Sequence, residues 1–340
     1  MDYKFQDKGK FALLTFNSIY IDLPPSTAFR LSDGTWAMPG VPVPDLGTWK
    51  EWLGSLRIER LQKANLVLFV EESSNNPAIL DDVHYRLGND LDRLFSMVHL
   101  RSGITCESAD LLRGSSEEGV PRIRQMSQLR KFQQTKGYRQ APITKECLED
   151  ALALRVGVTA MEADRPEFQR AMRGLNILLN GLQQPIGQDR LHQFVRSLEA
   201  LVLPDIGKTE RHFVHRCQTF ARAGDDTRAL LLEAFAMRSD TEHLNPWDKA
   251  VQDYPTDQWD DVCLQRTRQM EQLACDAYSR LLRDAVLRDH FRTDAAISAF
   301  WKLPDDQRRP LWGKPLDIAL EPLVHNYNPS GSAVEESTFE

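Results

Sequence analysis

The stretch Leu230–Pro246 reads LLLEAFAMRSDTEHLNP, an apolar run at helical spacing that ends in a polar cluster holding Arg238 and His243. At about 100° per residue, Leu230, Leu231, Ala234 and Phe235 share one helix face, and Arg238 falls near its middle. A guanidinium stays charged at any ordinary pH, so one placed on a stripe meant for burial requires a partner. His243 sits at the helix end, and Asn245 and Pro246 supply the stop.

The flanking sequence is helix after helix. Thr144 begins one (ITKECLEDALALRVG) expected to end near Gly157, and a second places Phe168, Ala171, Met172, Leu175, Leu178, Leu179 and Leu182 on one stripe. Asp189 opens a third, with Leu191, Phe194, Val195, Leu198, Leu201 and Val202 inward and Glu199 at the border of the stripe. A fourth starts at Thr209 and turns Phe213, Val214, Cys217, Phe220 and Ala221 inward; Gly224-Asp225-Asp226 then caps the helix that carries Arg238. A long last helix is expected from about Asp257 to His290. Apolar stripes joined by short turns describe an antiparallel bundle.

Before Pro142 the character is mixed. Phe11–Leu23 and Asn65–Glu71 are rich in β-branched and aromatic residues and predict strands. Thr48 is a candidate cap for a helix carrying Trp49, Trp52, Leu53, Leu56 and Leu61, and Ile79–Leu100 has helical spacing. Ser32–Thr35 and Ser115–Gly119 are turn or loop sequences. Arg122–Arg139 carries Arg122, Arg124, Arg130, Lys131, Lys136 and Arg139 and no acid, with Phe132 and Tyr138 between them. It offers either a strip for a phosphate backbone or an ordinary solvated face, the second being the commoner outcome. The fold class expected is therefore α+β: a mixed N-terminal domain over 1–142, a helical bundle over 143–320 and a flexible tail over 321–340.

Composition narrows the function classes. The 340 residues are 41 % hydrophobic, enough for a sizeable core, and carry a formal charge of −7, so nucleic-acid contact must come from a local basic patch. Five cysteines without framework spacing suggest free thiols in a reducing compartment, and no apolar run approaches a membrane span. A cytoplasmic protein is the expectation. No glycine-rich phosphate loop and no Gly-x-Ser-x-Gly elbow is present. His212, His215 and Cys217 (HFVHRC) hint at a metal corner, but Cys217 belongs to the core stripe and no fourth ligand follows, so neither metal nor cofactor is expected.

The order of DRLHQFVRSLEAL, a further helix, and then an apolar helix ending in RSDTEH resembles the HEPN superfamily, most closely its Apea-like branch, over roughly 167–290. That branch has an acidic residue in an LEAL-type helix and an Arg-x4–6-His motif near the end of a later one. Glu199, Arg238 and His243 stand at these positions, Ser239 and Asp240 match the polar residues that follow the arginine, and Leu244 stands where many members have glycine. Arg93–His99 and Arg283–His290 also fit the bare spacing. Only Arg238–His243 combines an arginine on an apolar face, polar residues between, and a terminator after.

The resemblance implies a metal-independent endoribonuclease in which a 2′-hydroxyl attacks the adjacent phosphate. Histidine is the side chain whose ordinary pKa suits that proton transfer, and arginine's planar fork suits the phosphate oxygens. Ser239, Asp240 and Thr241 are candidates to orient them, and Glu199 to balance the charge of Arg238. Five residues turn a helix by about 140°, so Arg238 and His243 share no face. Either the last turn loosens before Pro246, or a homodimer brings two motifs into one cleft, as the family's dimers do; the dimer is the expectation. The expectation is a toxin-like effector of prokaryotic anti-phage defence, acting on RNA, with a regulatory or partner-docking N-terminal domain. The alternative is a catalytically silent HEPN module for dimerisation or RNA binding.

Overall fold

In the computed structural model the residues described are 3–17, 19, 21–23, 27–43, 45–102, 108–129 and 142–320. The first half is built on β1 (Lys8–Asn17), which is buried at every position after Lys8. The strand stops at Asn17, short of the expected Leu23, and Ile21 makes an isolated parallel bridge to Ile143. β2 (Phe29–Arg30) and β3 (Trp36–Met38) form a small hairpin around the Ser32–Thr35 turn. α1 (Lys50–Leu53) and α2 (Ser55–Gln62) follow a 3-10 turn capped by Asp45, not Thr48, and Gly54, at φ +76°, breaks the single helix expected there. Next come β4 (Ala64–Ser73), α3 (Asp82–Ser102), β5 (Ser108–Glu117) and β6 (Val120–Gln128).

The strands form one antiparallel sheet in the order β2-β3-β4-β1-β5-β6. Both β4 and β5 run opposite to β1 between them, so α3 is the crossover that joins two parallel strands. Ala12, Leu14 and Phe16 of β1 face α3, whereas Phe11 and Leu13 face the cluster of Phe5, Trp49, Leu53, Ile58 and Leu61. A central strand buried on both faces requires the near-continuous apolar run that makes β1 legible.

The segment Ser115–Gly119 is not the loop its composition suggests. Only Glu118 and Gly119 turn, both at positive φ (+53° and +75°), as a two-residue hairpin demands. Ser115 and Ser116 are buried strand residues whose hydroxyls have partners: Arg124 donates to Ser115 at 2.8 Å, and Ser116 donates to Glu71 at 2.9 Å.

The second half comprises α4 (Lys145–Ala163), α5 (Gln169–Gly181), α6 (Gly187–Val202), α7 (Thr209–Phe220), α8 (Asp225–Glu242) and α9 (Trp259–Arg283). Three short helices, α10 (Ala285–Asp289), α11 (Asp294–Lys302) and α12 (Asp305–Trp312), close it. The long last helix expected to reach His290 breaks at Asp284, whose carboxylate accepts from the Leu287 N–H at 3.0 Å and caps α10. α6 is the hub. Arg190 pairs with Glu271 of α9 at 2.7 Å, the Tyr278 hydroxyl of α9 donates to the Ser197 carbonyl at 2.9 Å, and Trp301 of α11 donates to the Leu201 carbonyl at 3.0 Å.

One cluster of buried apolar residues runs from the α3 face of the sheet through α4 into the bundle, across the expected 142/143 division. Ion pairs rivet the same seam: Arg155–Asp33 at 2.6 Å, Arg93–Glu162 at 2.9 Å and Arg101–Asp150 at 3.0 Å. No helix among the described residues is long and apolar enough to cross a membrane. The tail over 321–340 lies outside the described residues.

Gly157 does not end its helix; α4 runs six residues further, to Ala163. A Cβ at Gly157 would strike the backbone carbonyl of Leu282, so the glycine is there to let α4 and α9 approach. Alanine favours a helix over glycine by about 1 kcal/mol, but overpacking against backbone costs about 1–3 kcal/mol. Gly157→Ala is therefore expected to lower stability by up to about 2 kcal/mol in urea unfolding; a higher midpoint would remove the close approach.

Candidate active site

α6 and α8 pack side by side, and their seam brings Glu199 against Arg238. The Arg238 Nη2 donates to Glu199 Oε2 at 3.2 Å, its Nη1 pairs with Glu242 one turn on, and its guanidinium stacks over the Phe235 ring at 5.6 Å from the centroid. Both side chains are nearly buried, with 14 % of Arg238 and 13 % of Glu199 exposed. Arg238 thus occupies the inward face of α8 with Leu231 and Ala234, and Glu199 is the partner that this burial requires.

Two residues that sequence reasoning passed over complete the seam. His192 and Arg196 precede Glu199 by seven and three positions, so they line the same edge of α6. The His192 imidazole is held below its ordinary pKa, first by burial and then by the charges of Arg238 and Arg196. Burial pushes the Glu199 carboxyl up, and Arg238 opposes this only in part. The buried Cys217 thiol is also pushed well up, by desolvation and then by Glu199. Three buried polar atoms at this seam have no hydrogen-bond partner among the described residues: His192 Nε2, Glu199 Oε1 and Arg238 Nε. Such groups are rare in a finished core and collect where another molecule completes the structure. Beside Glu199 opens a cavity of about 320 Å³ lined by Arg170, Arg173 and Arg196, a positively charged approach to the pair. The visible signal was the His-x3-Arg-x2-Glu spacing beside the apolar stripe.

His243 is elsewhere. It is the C-cap of α8, exposed, and follows the last helical residue Glu242. The chain then closes in a Schellman turn: Asn245 N–H donates to the Asp240 carbonyl at 2.8 Å and Leu244 N–H to the Thr241 carbonyl at 3.1 Å. Leu244 takes the left-handed conformation there, at φ +58°, and is 94 % exposed. Leu244 therefore holds a conformation that glycine enters freely, at the steric cost of a side chain. The Thr241 hydroxyl is spent on the same turn, donating to the Met237 carbonyl at 2.9 Å and accepting from Trp247 Nε1 at 2.8 Å. Ser239 and Asp240 are half-buried and make no side-chain hydrogen bond among the described residues. Within one protomer the motif is thus split, with Arg238 turned into the α6 seam and His243 exposed at the helix tip.

The other matches to the spacing resolve differently. Arg93 pairs with Glu162 and His99 is buried in α3, while Arg283 and His290 are separated by the break at Asp284. Of the basic strip, Arg122 is exposed on β6. Arg124 is the extra residue of a β-bulge, its charge taken by Glu117 at 2.7 Å. Arg130, Lys131, Lys136 and Arg139 lie outside the described residues. No group of three His, Cys, Asp or Glu is placed to hold a metal ion among the described residues.

Comparison with known proteins adds no family: no family model, no curated protein and no solved structure matches this chain.

Two outcomes follow from the seam and the turn. Leu244→Gly is expected to raise stability by about 0.5–1 kcal/mol, since glycine enters the left-handed region freely, even after its larger unfolded-state entropy; a loss of stability in thermal unfolding would contradict the turn. In Arg238→Ala the His192 imidazole loses a neighbouring cation, so its NMR titration is expected to move up toward 6.5. A titration that stays put would separate the two residues.

Proposed function

We propose that this protein is a metal-independent HEPN-type endoribonuclease. The observation that supports it is the pairing of Glu199 with Arg238 across the α6–α8 seam, with His243 presented by the turn that ends α8. The reaction asks for a group that exchanges protons near neutrality and for fixed positive charge on a phosphorane-like transition state. An exposed imidazole meets the first need. A guanidinium meets the second, provided the phosphate displaces the half-exposed Glu242 carboxylate from it.

In the step proposed, His243 accepts the proton of the 2′-hydroxyl as its oxygen attacks phosphorus. The bond from phosphorus to the 5′-oxygen breaks, and that oxygen leaves with a proton from water, whose hydroxide then takes up the proton held by His243. The products are a 2′,3′-cyclic phosphate and a 5′-hydroxyl. Because Arg238 and His243 diverge by about 140° on one helix, the site is proposed to form in an isologous homodimer. Glu199 holds Arg238, and Ser239 and Asp240 are placed to orient incoming groups. The biological role proposed is that of a toxin-like effector in prokaryotic anti-phage defence, with the sheet-bearing half restraining or triggering it.

One observation favours a second reading. The charge of Arg238 is already balanced by two carboxylates, as it would be in a catalytically inactive HEPN module used for dimerisation or RNA binding within a larger assembly. Incubating purified protein with total RNA in EDTA separates the two. Wild type is expected to leave cyclic-phosphate and 5′-hydroxyl ends, and His243→Ala and Arg238→Ala are each expected to slow cleavage by at least about 10²-fold. Cleavage at the parent rate by either variant would end the catalytic assignment.

A further inference from the structure

A cavity of about 840 Å³ lies away from the α6–α8 seam, between α7, the N-terminal half of α8 and the α11–α12 corner. Its wall is a row of basic side chains along α7, Lys208, Arg211, His212, His215 and Arg216, faced by Arg228 of α8. The row follows the i, i+3, i+4, i+7, i+8 spacing of one helix face and covers about 12 Å of its length. Only two acids, Glu210 and Asp225, line the same cavity, although the chain as a whole carries a net charge of −7.

The floor is rigid. Arg216 and Arg308 both lie over the Trp301 ring, at 5.6 and 5.2 Å, and Arg216 donates to the Val202 carbonyl at 2.6 Å at the end of α6. These two cations are committed to structure. By contrast Lys208, Arg211 and Arg228 are exposed and sit in no ion pair among the described residues. Between the two groups, His212 is held below its ordinary pKa by burial and then by the charge of Arg216, while Asp205, 3.8 Å from its Nδ1, acts the other way. The tryptophan is covered by the guanidinium groups and is buried, so the cavity has no free aromatic face on which a base stacks.

We propose that this cleft is a binding site for the phosphodiester backbone of single-stranded RNA, separate from the Arg238–His243 end of α8. Unpaired cations in a row suit a linear polyanion better than a compact one, and the lack of a stacking face makes the site indifferent to sequence. α8 forms one wall at Arg228 and ends at His243, about 22 Å further along its axis. A strand held in the cleft therefore lies beside the helix that presents the histidine. The direction of the strand toward cleavage rests on the function proposed above; the binding itself does not.

The test uses the full chain carrying His243→Ala, so that bound RNA is not consumed, and follows a labelled single-stranded RNA by fluorescence anisotropy over a range of salt. Adding Arg211→Gln and Arg228→Gln is expected to weaken binding about tenfold for all sequences and to make the slope of log K against log salt shallower by about 1.4, two lost phosphate contacts. Both residues are exposed, so the melting temperature is expected to hold; if the double variant unfolds, Lys208→Gln repeats the test with half the slope change. Millimolar ATP or tripolyphosphate is expected to displace RNA only weakly. Unchanged affinity and slope would overturn the proposal. So would full displacement by ATP at low concentration, which would make the cleft a free-nucleotide site. Binding through the cleft, together with wild-type protein that cleaves no RNA in EDTA, would sink the nuclease reading and leave this one standing.

Discussion

A cation on a buried helix face must be neutralised, and in this protein that constraint joins α6 to α8. Glu199 meets Arg238 at 3.2 Å, and the pair fixes the register of the two helices on which the rest of the bundle packs. Breaking a pair this far from water by removing one partner typically costs about 3–5 kcal/mol when both are fully buried, and less here because Glu242 shares the charge. The same device recurs at the other end of α6, where Arg190 and Glu271 are each only 4 % exposed. Two ion pairs nine residues apart therefore hold the central helix against two different neighbours, and apolar stripes fill what lies between.

That arrangement explains a division of labour along α8. Its inward face is structural up to Arg238, and its last turn is freed by the left-handed Leu244 to present His243 outward. The N-terminal half of the same helix forms a wall of the basic α7 cleft at Arg228. One helix thus touches the ion-paired seam, the exposed imidazole and the basic cleft beside α7. The sheet-bearing half is not an appendage. Its α3 face shares the apolar core with α4 and the bundle, and salt bridges such as Arg155–Asp33 cross the same seam.

Much of the bundle was legible because buried helices announce themselves. Every inward residue assigned to α6 and α7 from spacing is buried, and Thr144 caps α4 by accepting from the Cys147 N–H. The strands were harder. β1 and β4 are long apolar runs, but β5 carries buried Ser115 and Ser116 whose polarity is paid for by Glu71 and Arg124, contacts made across 45 and 9 residues that no local pattern displays. Gly157 misled for a related reason, since its use is a long-range approach to Leu282 and not a local stop. At the candidate site, the partner of Arg238 was readable from burial logic. The added members His192 and Arg196 left only their spacing to Glu199 as a signal, and the α7 cleft left none: charged residues on a helix edge look like ordinary solvated surface until a neighbouring element closes over them. His212 and His215 drew notice as metal ligands, whereas the structure sets them in a basic row along α7, with Asp205 beside His212.

The central claim is that Arg238 of one protomer and His243 of another act on the same phosphodiester. Mixing tests it most directly. Arg238→Ala and His243→Ala proteins, each inactive alone, are combined under conditions in which subunits exchange, and RNA cleavage in EDTA is followed. A site shared between protomers regains an intact arginine and an intact histidine in the mixed dimer, so activity returns. A mixture that forms heterodimers, verified by tags on each variant, yet stays inactive would contradict the shared site.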